Sequence, residues 1–149
     1  MSSTSKKGAV LLLGGTGKIS SRIAPLLSSA NYSVLQASRS GTASAPSPTC
    51  TGVKFDWFDE STYENPFLSS PISAAFLVAP PVLDALPLVK KFIELAREKG
   101  VNRFVLLSAS ILEVGDGPAM GDISKYIVNA GVEYAILRPT WFMGMFLLT

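Results

Sequence analysis

The residues of this 149-residue chain best suited to chemistry lie close to its amino terminus. The segment Leu13-Gly14-Gly15-Thr16-Gly17-Lys18-Ile19-Ser20 follows a short apolar run and opens a stretch with helical spacing. Glycine at position 14 allows a tight turn. At position 17 it leaves room for a phosphate to reach the free N–H groups and the positive dipole end of the helix. Gly14, Gly15, Thr16, Gly17 and Lys18 are therefore candidate contacts for the pyrophosphate of a dinucleotide. The third small position of that fingerprint is Ser20, which still permits close packing of helix on strand. A nucleotide-triphosphate loop is excluded, because it needs glycine where Leu12 stands and Ser or Thr where Ile19 stands. A glycine turn without a ligand is the alternative reading.

The end of the second expected strand bears on which dinucleotide. An acidic residue there favours NAD through the ribose 2′-hydroxyl, whereas this chain has Ala37-Ser38-Arg39-Ser40. Arg39 suits a 2′-phosphate and Ser38 does not repel one, which points to NADPH over NADH. A solvated surface arginine is the competing reading. Asp56, after the third strand, suits the adenine amino group or the capping of a turn. Ala79 and Pro80 lie on the same rim and complete the candidate cofactor set.

These residues need a scaffold. The chain is 48% hydrophobic and 16% charged, against about 25% charged in a typical domain, so it reads as a compact, apolar domain. Met1 to Lys7 reads as a disordered tail, and residues 8–149 as an NAD(P)-binding domain. Strands are expected at Ala9–Leu13, Ser33–Ala37, Val53–Phe55, Ala74–Ala79, Arg103–Leu107 and Tyr134–Leu137. A helix is expected from Lys18 to Ala30, with Ile19, Ile23 and Leu26-Leu27 facing inward and Pro25 producing a kink. Ser40 to Gly52 reads as a loop. Helices are also expected after Pro80-Pro81, with Leu86, Val89, Phe92-Ile93 and Ala96 inward, and over Asp122–Asn129. Strands alternating with helices, and apolar without alternation, indicate an α/β fold: a Rossmann-type doubly wound parallel sheet in the order 3-2-1-4-5-6, covered on both faces.

Composition narrows the chemistry. With no histidine and one cysteine, the chain lacks the residues for Ser-His-Asp or Cys-His catalysis and for an ordinary zinc site, so no metal is expected. No internal disulfide is possible, which fits a cytoplasmic setting. No basic cluster suggests nucleic acid, and no apolar run approaches a membrane span. Cys50, read as a loop residue far from basic neighbours, is expected to be unreactive.

Several segments carry a family resemblance: Gly14-Gly15-Thr16-Gly17, Ala37-Ser38-Arg39, Phe55-Asp56-Trp57, the run from Arg103 to Ser110, Gly117-Pro118-Ala119-Met120-Gly121, and Leu137-Arg138-Pro139-Thr140-Trp141-Phe142-Met143. Together they resemble the NmrA-like, atypical short-chain dehydrogenases, and within these the fungal ergot-alkaloid reductases of the festuclavine and agroclavine dehydrogenase type. The resemblance implies NADPH-dependent hydride transfer to an iminium intermediate in ergot or indole alkaloid biosynthesis. It also implies a longer protein whose carboxyl-terminal half supplies the substrate portion. Gly144-Met145 stands where relatives tend to carry Glu-Asn. The expectation is therefore an amino-terminal, truncated portion that binds cofactor weakly, turns over little and self-associates through exposed apolar surface.

The tyrosine-lysine pair of most short-chain dehydrogenases is absent. Tyr32, Tyr63, Tyr126 and Tyr134 are followed four residues on by Gln36, Phe67, Ala130 and Arg138. Reduction of an iminium requires hydride and no proton, so this absence agrees with the resemblance. Ser108 and Ser110 are the catalytic candidates, unless they are only a polar strand end. Met120, Trp141 and Phe142 are substrate-wall candidates, or core residues. A non-catalytic NADP-binding redox sensor and an inactive fragment are the alternatives to a reductase.

Overall fold

A computed structural model describes residues 8–14, 18–44, 46–68, 70–80, 82–108 and 121–137. In chain order the elements are β1 (Ala9–Leu13), α1 (Lys18–Ser29), β2 (Val34–Ser38), β3 (Cys50–Lys54), β4 (Ile72–Leu77), α2 (Leu86–Glu98), β5 (Arg103–Leu107), α3 (Asp122–Asn129) and β6 (Glu133–Leu137). Two short 3-10 turns, Glu60–Thr62 and Asn65–Phe67, lie between β3 and β4. The strands form one parallel sheet in the order β3-β2-β1-β4-β5-β6. This is the expected Rossmann-type, doubly wound arrangement.

Alternating side chains on each central strand feed two cores. Leu11 and Leu13 of β1, Ala75 and Leu77 of β4, and Phe104 and Leu106 of β5 join Val89, Phe92, Ile93 and Ala96 of α2 and Ile123 and Ile127 of α3. On the opposite face, Leu12 and Phe76 join Ala24 of α1, with Ile23 and Leu27 packed alongside. Burial on both sides is why these strands read as unbroken apolar runs. Helices α2 and α3 stop where Gly100 (φ 95°) and Gly131 (φ 76°) turn the chain left-handed.

The structure corrects several expectations. Helix α1 does not dock through Ile19 and Leu26, which are 38% and 71% exposed. Its buried residues are Ser20 and Ala24, one turn apart, and Ser20 Oγ donates to the Leu13 carbonyl at 3.3 Å. Small side chains bring this helix close to the sheet, so size rather than hydrophobicity sets its inner face. The helix ends at Ser29 and continues through Pro25. Strand β3 begins at Cys50 rather than Val53, because all five of its residues pair with β2. Cys50 is thus a buried strand residue, and desolvation pushes its thiol up from the ordinary value, away from reactivity. Strand β4 starts two positions before the expected Ala74. The edge strand β6 is exposed at Glu133, Tyr134, Ala135 and Leu137, so coverage of both faces does not extend to it.

Candidate functional site

Four strands deliver their carboxyl ends to one side of the sheet, around the switch in strand order between β1 and β4. There β1 ends at Gly14, β2 at Ser38-Arg39, β3 at Phe55-Asp56-Trp57-Phe58, and β4 at Val78-Ala79-Pro80. Together with Ala37 these residues line a cavity of about 400 Å³.

Each wall has a local cause. Gly14 takes a left-handed conformation (φ 70°), and a Cβ there would lie 3.2 Å from Cβ of Val78. Both the turn and the close approach of β4 therefore call for glycine. Beyond β3 the chain folds back through a turn in which Asp56 Oδ1 accepts from the Phe58 amide at 2.9 Å, and the Asp59 amide donates to the Asp56 carbonyl at 3.0 Å. The buried Thr62 hydroxyl supports this turn, accepting from the Asp56 amide at 2.9 Å. Turn capping by Asp56 is thus realised, through one of its two carboxylate oxygens.

Trp57 is the strut of the site. Its ring packs edge-on against Phe55 and Phe92, with centroids 5.0 and 5.7 Å away. Its indole N–H donates to the Val78 carbonyl at 3.0 Å, tying the end of β3 to the end of β4. Phe58, in contrast, is 65% exposed on the cavity rim. Tyr63 stacks on Phe55 and its hydroxyl donates to the Trp57 carbonyl at 2.6 Å.

Burial first, then the carboxylates of Glu60 and Asp56, push the Tyr63 hydroxyl from 10.0 up to about 12. The folded value lies above the unfolded one. The stabilisation is therefore complete below pH 10 and is lost as pH rises toward 12. Urea unfolding across that window should show Tyr63→Phe losing less stability than the parent. Parallel loss in the two proteins would contradict the burial of this hydroxyl beside Glu60 and Asp56.

At the end of β2, Ser38 Oγ accepts from the Gly41 amide and donates to the Thr42 carbonyl, both at 3.2 Å. Ser40 and Thr42 hydroxyls lie 2.8 Å apart. Arg39 is exposed on the cavity lining and forms no ion pair among the described residues.

Of the residues singled out from sequence, Gly14, Ser38, Arg39, Asp56, Ala79 and Pro80 come together at this cavity. Lys18 opens α1. Ser108 lies half-buried after β5 on the same side of the sheet, its amide bonded to the Leu137 carbonyl at 2.7 Å, and it does not line the cavity. Gly15, Thr16, Gly17, Ser110, Met120, Trp141 and Phe142 lie outside the described residues. Ala37, Phe55, Trp57, Phe58 and Val78, which also line the cavity, were not in the candidate set. Phe-Asp-Trp was visible as a motif, but its role as a wall arises only when β3 and β4 are placed together.

The chain is 44% identical over 141 residues to festuclavine synthase I of Penicillium roqueforti, covering 90% of this chain and 48% of that protein. It is 46% identical over 143 residues to agroclavine dehydrogenase of Claviceps fusiformis, covering 92% and 48%. The chain is homologous to the festuclavine and agroclavine dehydrogenases. It spans about half the length of these curated relatives. An uncharacterised oxidoreductase of Bacillus subtilis is 36% identical over 143 residues. No family model matches the chain. Among solved structures, the Bordetella bronchiseptica enzyme WbmH in complex with NAD+ superposes with a TM-score of 0.68 at 16% identity, covering 89% of this chain and 55% of that one. A Rossmann-fold NAD(P)-binding family protein of Shigella flexneri gives 0.67 at 20% identity, covering 88% and 66%. At these identities the structural likeness establishes the fold. Among the described residues no helix is long and apolar enough to cross a membrane.

Proposed function

We propose that the cavity holds the adenosine end of NADPH, and that the chain is the cofactor-binding portion of an oxidoreductase acting on a small alkaloid substrate. The observation that carries this reading is the convergence of Gly14, Ser38, Arg39 and Asp56 on one cavity at the strand-order switch, where doubly wound sheets bind ligands. Its volume of about 400 Å³ falls within the usual range of about 300–1,000 Å³ for such sites. Arg39 would pair with the 2′-phosphate, and Ser38 would supply a hydroxyl beside it. The second carboxylate oxygen of Asp56 would accept from the adenine amino group, and the exposed ring of Phe58 offers that base an apolar face. The glycine turn from Gly14 to Lys18 would take the pyrophosphate at the amino end of α1.

The cofactor would supply hydride. The chain's own part is to bind and orient it, and no proton donor is required when the acceptor is an iminium carbon. The homology to festuclavine and agroclavine dehydrogenases supports that substrate class. Ser108 and Ser110 are assigned to the nicotinamide side, and Met120, Trp141 and Phe142 to the substrate side. A cytoplasmic location, and self-association through apolar surface such as Tyr134 and Leu137 of β6, both 44–47% exposed, belong to the same reading.

Two measurements test it. Titration calorimetry with NADPH should show saturable binding, and absence of binding would overturn the assignment. Adding a tetracyclic iminium should consume nicotinamide absorbance if the portion present suffices for turnover; binding without consumption favours the redox-sensor alternative or a need for further chain. Gly17→Val should weaken NADPH by about tenfold or more, because a branched side chain displaces a charged group from its hydrogen bonds. Equal affinity for variant and parent would remove the glycine turn from the site.

A further inference from the structure

The connection from β2 to β3, residues 39–49, carries no helix among its described residues, although parallel neighbours are usually joined through one. The chain instead crosses directly over the sheet, and two residues facing each other in register make this possible. Gln36 of β2 pairs with Gly52 of β3. Gln36 is fully buried. Its amide Nε2 donates to Ser44 Oγ at 3.0 Å, and its Oε1 accepts from the Ser44 amide at 3.0 Å and from Cys50 Sγ at 3.2 Å. Gly52 contributes bare surface. A Cβ there would collide with the Gly41 carbonyl oxygen and would lie 2.7 Å from both the Ala43 amide nitrogen and the Thr42 carbonyl carbon. These are backbone atoms, which cannot swing aside as a side chain would.

The crossing segment is therefore fastened at Ser44 by one strand and laid flat on the other. Between Ser38 and that fastening lie Arg39, Ser40, Gly41, Thr42 and Ala43, with the Ser40 hydroxyl already bonded to those of Ser38 and Thr42. We propose that Gln36 and Gly52 are positioning residues for cofactor selectivity. They hold the segment from Arg39 to Thr42 in one shape, so that its guanidinium and hydroxyls meet a ribose 2′-phosphate without prior ordering. This rests on the NADPH reading above. A preformed site avoids the ordering cost that a loose loop would incur on binding, and that saving applies only to a ligand that touches the loop.

The test compares 2′,5′-ADP with 5′-AMP, which differ only by the 2′-phosphate, using calorimetry on the whole 149-residue chain. The parent should prefer 2′,5′-ADP. Gly52→Ala should weaken 2′,5′-ADP by about tenfold or more, the equivalent of one lost charge-assisted hydrogen bond, and leave 5′-AMP within about twofold. Gln36→Met, of similar length and without the amide, should do the same, and it carries the test if Gly52→Ala does not fold by circular dichroism. Retained preference in the folded variants overturns the inference while leaving the NADPH reading intact. Equal weakening of both ligands also overturns it, because that is what general structural damage produces. A parent without preference overturns the selectivity reading of Arg39 and this inference with it.

Discussion

Phe92→Ala is expected to lower the unfolding free energy by about 3–5 kcal/mol, the usual effect of deleting a large buried aromatic side chain. Against a typical total of about 5–15 kcal/mol, that leaves a marginal protein. Phe92 is fully buried on α2 and is the hub of the aromatic cluster. Phe55, Trp57, Tyr63 and Phe67 all lie with ring centroids 5.3–6.1 Å from it. Urea denaturation followed by circular dichroism and by tryptophan emission measures the loss. The second expectation concerns the site. Phe55 and Trp57 back the cavity and rest on Phe92, so in any population that stays folded the variant should bind NADPH less tightly than the parent. A loss below about 1 kcal/mol would mean that the cluster is not packed as described.

Arg39→Ala should weaken NADPH by about 1.5–3 kcal/mol, the range for a hydrogen bond to a charged group, or about ten- to hundredfold, with NADH nearly unchanged. The side chain is exposed and forms no ion pair among the described residues, so its removal should cost little stability. Calorimetry with both cofactors separates the outcomes. Equal losses for NADPH and NADH would assign Arg39 a structural role and leave the 2′-phosphate without a partner. The difference from Gly52→Ala is that Arg39 would touch the ligand itself, whereas Gly52 would act only through the segment above it.

Much of the scaffold was legible because its elements carry their own punctuation. Strand β5 and helix α3 match expectation residue for residue, bounded by Gly100 and Gly131. Strand β1 ends where Gly14 must turn. What failed were features created by neighbours. Thr51 and Gly52 read as loop because they end a run rich in Ser, Thr, Pro and Gly, yet pairing with Leu35 and Gln36 places them in a strand despite glycine's poor local preference for one. Apolar spacing pointed α1 inward through Leu26, but contact with the sheet selects Ser20 and Ala24, which periodicity of large side chains does not register. The candidate site behaved alike. Gly14, Ser38, Arg39 and Asp56 were visible because each lies at or just past the end of a strand. Val78 and Phe58 were not, since nothing local says that one will abut Gly14 or that the other will stand exposed at the rim.

The switch in strand order has a consequence for how the molecule is assembled. One side of the cavity is built from β1, β2 and β3, which come in one continuous early stretch. The other comes from β4, whose Phe76 pairs with Leu12 only after the whole intervening chain has closed into a loop. Such long-range closure is the slow part of folding, and before it happens the two sides are parts of an open chain. A dinucleotide that touched both would select the closed form, adding stability in proportion to the logarithm of its concentration over its dissociation constant. In the proposed reading the cofactor is thus also a late folding partner, latching the sheet across its most distant contact.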